Sequence, residues 1–307
     1  MVEEAFALTQ ARLPADEAAE PRETLLTGKL MARALAEKTP QGRTALARRF
    51  IAELLTSFWD ALPEKPGSWA IMPLPDHVEL GEIPASAAAL AERMGIAAAQ
   101  LPTMEAGYLL GSTYTAMLPD RFRADYGVYY TPPALCERLL DMAEQAGELD
   151  WTTARVLDPA CGGGAFLSPV AERMLTALAA AEPGVRLRNI AGRLTGFELD
   201  PFAAWFSQVL LEITMLDTCT AAGMRLPPMV EVCDSLEQEP VSRGFDLVVG
   251  NPPYGRITLR PELRARYQRS LFGHANLYGV FTDLALRYTR LGGVIAYVTP
   301  TSFLAGE

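Results

Sequence analysis

After about Asp125 the chain repeats one arrangement, a short β-branched or aromatic run followed by helical or loop material. The runs are Val156–Leu157, Leu194–Phe197, Val230–Val232, Phe245–Val249 and Val294–Val298. Strands separated in this way pair through crossovers rather than hairpins, so the pattern predicts a mostly parallel sheet with helices on both faces. Ligands of such sheets sit at the carboxyl ends of the strands, which directs attention to the residues that follow each run. The grammar before Asp125 is different. From Pro21 to Trp59 apolar residues recur at helical spacing, broken near Thr39-Pro40-Gln41-Gly42, which predicts two amphipathic helices. Leu62 to Pro84, rich in Pro and Gly, reads as loop, and Ser86 reads as the cap of a third helix ending near Gly95. The expected organisation is a helical region over 1–125 and an α/β domain over 126–307, and a chain of 307 residues, half of them hydrophobic, has the material for both cores.

Several chemistries lack their residues. Cys136, Cys161, Cys219 and Cys233 form no C-x-x-C pair, and His77 and His274 are the only histidines, so neither a disulfide framework nor a zinc site is expected. Lys29, Lys38 and Lys65 are preceded two positions earlier by Thr27, Ala36 and Pro63, so an acidic-x-Lys nuclease motif is missing. Gly28-Lys29 is no phosphate loop, because Glu23 stands where the loop's first glycine belongs and no strand precedes it. The N-terminus carries no basic and apolar leader, and no apolar run approaches membrane-spanning length, so a cytoplasmic protein with no membrane partner is expected. A formal charge of -10 argues against coating nucleic acid by bulk charge. That charge is uneven, however: Arg256–Arg290 holds 7 basic against 2 acidic residues.

The strand ends carry the chemistry. After the first comes Asp158-Pro159-Ala160-Cys161-Gly162-Gly163-Gly164-Ala165-Phe166-Leu167, a Gly-rich turn opening a helix. Glycine turns also bind dinucleotides or simply close tightly, but an acid at the start repels a pyrophosphate and suits a cationic ligand such as a sulfonium with its ammonium group. The second strand ends at Glu198-Leu199-Asp200, where an acid holds a ribose diol or caps the helix at Pro201. The third ends at Asp234-Ser235, whose carboxylate suits the exocyclic amine of a bound adenine. The fourth ends in Asn251-Pro252-Pro253-Tyr254. Two prolines fix two φ angles and remove two donors, leaving the Asn251 side-chain carbonyl, the Pro252 carbonyl and the Tyr254 ring to receive a planar heterocycle with an NH2 group.

In this order the motifs resemble those of the γ-class adenine-N6 DNA methyltransferases of restriction-modification systems, type IIG-like, over roughly Gly127 to Glu307. Tyr129-Tyr130-Thr131-Pro132-Pro133 looks like the family's motif X, Asp158–Leu167 like motif I, Glu198 and Asp200 like motif II, Asp234 like motif III and Asn251–Tyr254 like motif IV. Phe272–Phe281 resembles motif V, and Gly292 through Pro300 to Leu304 resembles the fifth strand and motif VI. The fold this implies is a Rossmann-like S-adenosylmethionine-dependent methyltransferase sheet, incomplete with about five strands, preceded by a mainly helical N-terminal region. The resemblance implies S-adenosylmethionine as cofactor, held by Tyr130, Thr131, Pro132, Asp158, Pro159, Ala160, Gly162, Gly164, Phe166, Glu198, Asp200, Asp234 and Ser235. It implies catalysis by Asn251, Pro252, Pro253 and Tyr254 on the N6 amine of a flipped adenine, with no metal.

The implied partner is double-stranded DNA, with Arg256, Arg260 and Arg264 placed where phosphates would pass, unless this stretch is only a solvated basic helix. Family members continue beyond this point with two more strands and a recognition region, so the sequence reads as truncated after motif VI, as a partial product or as one part of a split enzyme with a partner subunit. Two other readings stay open: a protein-glutamine N5-methyltransferase, which also presents Asn-Pro-Pro-Tyr to an amide NH2, and a non-catalytic remnant or subunit of a DNA-modification complex.

Overall fold

The computed structural model describes residues 20–122, 130–240, 243–271 and 276–300. The chain divides into two compact units, Met1–Arg123 and Ala124–Glu307. The domain boundary expected at 125/126, Tyr129 of the motif X segment, Phe272–Ala275 and Thr301–Leu304 lie outside the described residues.

The first unit is helical: α1 (Pro21–Glu37), α2 (Arg43–Ala61), α3 (Ala85–Ala98) and α4 (Thr103–Met117). Proline in the first turn of α1 sacrifices an N–H that has no intrahelical partner anyway. Leu25, Gly28, Met31, Ala32 and Leu35 of α1 are buried at three- and four-residue spacing. A Cβ on Gly28 would stand 2.4 Å from Met94 Sδ, so this glycine is a helix-crossing point and Gly28-Lys29 is ordinary helix. Two local expectations are corrected. Ser86 lies inside α3, whose N-cap is Pro84, and α3 runs on through Gly95 to Ala98. Gly95 does not terminate the helix because it serves close packing: a Cβ there would meet Leu54 O at 2.5 Å and Phe58 N at 2.7 Å on α2.

The second unit is built on a sheet of five parallel strands in the order β3-β2-β1-β4-β5, as the alternating pattern predicts. Helix α5 (Pro133–Gly147) precedes β1 (Val156–Asp158). Helices α6 (Leu167–Ala177) and α7 (Pro183–Ala191) lead to β2 (Leu194–Glu198), and α8 (Pro201–Thr214) and α9 (Leu216–Ala222) lead to β3 (Val230–Val232). β4 (Phe245–Gly250) is followed by α10 (Pro261–Arg266), a 3-10 turn at Gln268–Ser270, α11 (Leu277–Tyr288) and β5 (Thr289–Tyr297). β5 starts five residues before the apolar run that announces it. Its pairing with β4 jumps from Phe245↔Thr289 to Leu247↔Val294, so β5 bulges between these pairs, where Gly292 has φ +78°. β1 lies between β2 and β4, so the strand order reverses there and a crevice opens above its carboxyl end. Leu157, Val248, Leu284 and Tyr288 belong to the core beneath that crevice. No helix among the described residues is long and apolar enough to cross a membrane.

Candidate active site at the carboxyl ends of the strands

The crevice is one cleft lined from four strand ends. Asp158, Pro159, Ala160, Gly162 and Phe166 come from the turn after β1, Glu198 from β2, Asp234 and Ser235 from the end of β3, and Asn251 and Pro253 from the turn after β4. Tyr130 and Thr131 line it from the segment before α5. The sequence therefore locates most of the lining. What it misses is the apolar part, including Leu199, Leu236, Ile257, Leu277 and Phe281. Their signal is proximity: Leu199 and Leu236 adjoin the strand-end acids, and Leu277 and Phe281 are one helical turn apart within the motif V segment.

Strand β1 ends in a turn whose shape depends on glycine. Gly162 and Gly164 have φ of +54° and +82°, and at Gly163 a Cβ would stand 2.1 Å from the Tyr130 hydroxyl. Gly164 faces away from the cleft against Ser207 of α8, 2.7 Å from where its Cβ would be, so its role is packing. The turn is held to β2 by Cys161 N–H donating to Phe197 O (3.0 Å) and Gly162 N–H donating to Glu198 Oε2 (2.8 Å).

The acids differ in their surroundings. Asp158 is 1% exposed and accepts the Ala160 N–H at 3.1 Å. Burial, with the Glu198 charge adding to it, pushes its carboxyl up to about 8. Glu198 accepts from the backbone of both Gly162 and Asp200 at 2.8 Å, and burial still pushes it up to about 7. Asp200 is not in the cleft. It caps α8 by accepting the Phe202 N–H at 3.3 Å, whereas Glu198 lines the cleft. Asp234 accepts the Leu236 N–H at 2.9 Å, and Ser235 donates to Pro159 O at 2.5 Å, tying the third strand end to the first.

At the fourth strand end Asn251 is held from both sides of its amide. Its Nδ2 donates to Thr131 Oγ1 at 3.2 Å, and its Oδ1 accepts from the Tyr254 hydroxyl at 2.5 Å. The same hydroxyl also lies 3.0 Å from Val298 O. Pro252 and Tyr254 belong to the same turn as Asn251 and Pro253 but are not among the residues lining the cleft, and Pro132 is the N-cap of α5. Gly250 joins the two halves of the site: a Cβ there would fall 2.7 Å from Asp158 Oδ1. Of the basic residues, Arg260 is ion-paired with Glu237, whereas Arg256 and Arg264 are exposed and have no ion pair among the described residues. Among the described residues no group of three or more His, Cys, Asp or Glu could hold a metal ion.

The cleft fits S-adenosylmethionine. A buried acid with a raised affinity for protons, Asp158, suits the cationic methionine end, Glu198 suits a pair of sugar hydroxyls, and Asp234 beside Leu199, Leu236 and Ile257 suits an aminated flat ring.

Comparison with known proteins gives the same direction. Residues 228–307 match the family described as Eco57I restriction-modification methylase. The chain is 29% identical over 180 residues to the Type II methyltransferase M.PaeR7I of Pseudomonas aeruginosa, covering 56% of this chain and 31% of that protein. It is 31% identical over 187 residues to the Type II methyltransferase M.TthHB8I of Thermus thermophilus, covering 57% and 34%. The chain thus spans about a third of the length of these curated relatives. Its fold is like that of the type IIG restriction endonuclease BpuSI, with TM-score 0.53 and 17% identity over 91% of this chain and 34% of that one. Over residues 228–307 the chain is similar to the Eco57I restriction-modification methylase family, and over a longer stretch to Type II methyltransferases.

Proposed function

We propose that the chain binds S-adenosylmethionine and transfers its methyl group to the N6 amine of an adenine flipped out of double-stranded DNA, as the modifying activity of a restriction-modification system. One observation carries the reading: the acids of three strand ends and the Asn251 amide line a single cleft, with Gly250, the last residue of β4 and the one before Asn251, packed against Asp158.

The cofactor supplies an electrophilic methyl group on a sulfonium; the rest is done by the chain. Asp158 would hold the cationic end of the cofactor, Glu198 its ribose and Asp234 its adenine. An adenine amine is a weak nucleophile because its lone pair is delocalised into the ring. Asn251 Oδ1 and the Pro252 carbonyl accept its two hydrogens, so that the nitrogen becomes more tetrahedral and its lone pair is aimed rather than delocalised. Thr131 Oγ1 receives Asn251 Nδ2 and so fixes which end of the amide faces the amine. No base has to act before transfer. Tyr254 stacks on the flipped ring with about 1–3 kcal/mol, offsetting part of the cost of unstacking. Arg256 and Arg264 meet backbone phosphates.

The test uses the full chain with S-adenosylmethionine labelled in the methyl group and unmethylated duplex DNA. Label recovered as N6-methyladenine supports the reading. Label in protein instead of DNA, or cofactor binding with no labelled DNA, overturns it.

A further inference from the structure

The basic stretch after Asn251-Pro252-Pro253-Tyr254 does not act as one surface. Arg266 is committed to its own chain: its Nη1 donates to Leu236 O at 3.0 Å and Gln238 O at 3.3 Å, and its Nη2 pairs with Glu239. Beside it Tyr267, 1% exposed, donates its hydroxyl to the same Leu236 carbonyl at 3.0 Å. Both acceptor directions of that carbonyl are thereby filled. The other side of the same peptide is also held, because Glu237 N–H donates to Asp234 O at 3.0 Å. The turn from Asp234 to Glu237 is thus clamped on both edges of one peptide plane, and the Leu236 N–H within it fixes the Asp234 carboxylate at 2.9 Å. Asp234, Ser235 and Leu236 form part of the cleft wall.

We infer that Arg266 and Tyr267 are positioning residues for the adenosyl part of the cofactor, acting through the Leu236 carbonyl and the Asp234 turn, and that Arg266 is not a phosphate contact. The inference rests on the cofactor reading proposed above. Without the two donors the buried Leu236 carbonyl is left unsatisfied, the peptide turns to find another partner, and Asp234 loses its fixed direction. Arg287 braces the clamp from α11. Its Nη2 donates to Arg266 O at 2.5 Å, its Nε pairs with Asp283 at 2.8 Å, and its guanidinium lies 5.1 Å from the Tyr267 ring centre.

Calorimetric titration of the full chain with S-adenosylmethionine, in the absence of DNA, tests this. R266M should raise Kd about tenfold, R266K should recover much of the loss because a lysine still donates to one carbonyl, and Y267F, which removes a single oxygen, should raise Kd several-fold. Unchanged Kd in R266M and Y267F overturns the positioning role, as does a fall in unfolding temperature without a change in Kd. A phosphate contact predicts a different result, with cofactor affinity intact and the slope of log affinity for DNA against log salt reduced by about one. That outcome overturns the inference too. Absence of binding by the unaltered chain overturns the cofactor reading itself, which keeps the two failures apart.

Discussion

Asp158 and Asn251 follow one another across neighbouring strands, β1 and β4, and line the same cleft, yet one is an acid in an uncompensated site and the other a neutral amide with every polar atom engaged. Asp158 has one backbone donor and, among the described residues, no cation that lowers it, so burial, with the Glu198 charge adding to it, pushes its carboxyl up to about 8. Asn251 is set before any ligand arrives, by Thr131 on one side and Tyr254 on the other. The contrast is between a group that needs its ligand's charge and a group that supplies orientation. Under the proposed function, a sulfonium with an ammonium group brings charge and would be met by an acid, whereas an adenine amine brings none and would be met by two carbonyl acceptors that redirect its lone pair without taking a proton. If the contrast is right, damage to one half should appear in affinity and damage to the other in rate.

The largest expected effect is on rate. Asn251→Ala removes the acceptor and leaves the acids untouched, so methyl transfer to DNA should fall by on the order of 10²–10³, the range for losing one preorganised transition-state hydrogen bond. Cofactor affinity measured by titration should stay within about twofold. Equal rates for N251A and the parent chain would remove Asn251 from the chemistry and with it the division of the cleft.

Asp158→Asn should do the reverse, weakening cofactor binding by roughly 10–100-fold, as for a lost hydrogen bond to a charged group. The pH dependence has a definite sign. An unfolded aspartate titrates near ~3.9, so between about pH 4 and 8 the folded chain keeps a proton that the unfolded chain has lost. The stabilising contribution is therefore complete below about pH 4 and disappears as pH rises towards 8. A bound cation requires the ionised form, so cofactor affinity should rise between about pH 6 and 7, by up to ~tenfold per unit for one proton released. In D158N both slopes should flatten, leaving only what Glu198, held up to about 7, contributes. Denaturant melts and titrations across this range, with the parent and D158N in parallel, decide it. An unaltered slope in D158N would mean that Asp158 is not the titrating group.

How far the sequence anticipates this depends on distance along the chain. The acids and the Asn-Pro-Pro-Tyr turn are legible because each directly follows its strand, and strand ends are where an α/β sheet binds ligands. The partners that set them are not. Thr131 lies 120 residues before Asn251, and Glu237 and Glu239 lie 23 and 27 residues before the arginines they neutralise. A charge count over Arg256–Arg290 cannot reveal that Arg260 pairs with Glu237 and Arg266 with Glu239. Glycine misleads for a related reason. Gly95 reads as a helix end but marks contact with α2, and Gly292 hides the first half of β5. Helix α4 escapes the periodicity because Thr103–Met117 carries Gly, Thr and Tyr, poor helix formers, on a segment stabilised by burying Leu110, Thr113 and Tyr114.

The acid half also depends on its glycine turn, and two positions there separate backbone strain from crowding. Gly164→Ala combines φ +82° with a Cβ 2.7 Å from Ser207 Oγ, so a loss of about 2–3 kcal/mol in stability is expected. Gly162→Ala meets only φ +54° with open space around it and should cost about 1 kcal/mol. Chemical denaturation of the two variants should therefore differ, and equal losses would mean that crowding at Ser207 is relieved by a side-chain rotation. Gly162 also donates its N–H to Glu198, so its variant should weaken cofactor binding, whereas the Gly164 variant should act on stability.

The smallest effect concerns how the neutral half is held. One Tyr254 hydroxyl proton lies between two acceptors, Asn251 Oδ1 at 2.5 Å and Val298 O at 3.0 Å, and burial raises the hydroxyl's pKa, so it remains a donor throughout the working range. Tyr254→Phe keeps the ring for stacking and removes only this tether. One hydrogen bond contributes about 1 kcal/mol, so methyl transfer should fall about fivefold at unchanged cofactor affinity. Tyr254→Ala removes the ring as well and should cost a further ~1–3 kcal/mol through lost stacking. Rates for the two variants with the same DNA separate these contributions. If Y254F is as slow as Y254A, the ring adds nothing beyond its hydroxyl, and the neutral half works by holding Asn251 rather than by gripping the base. If Y254F matches the parent, Thr131 alone orients the amide, and the second hold on Asn251 is dispensable.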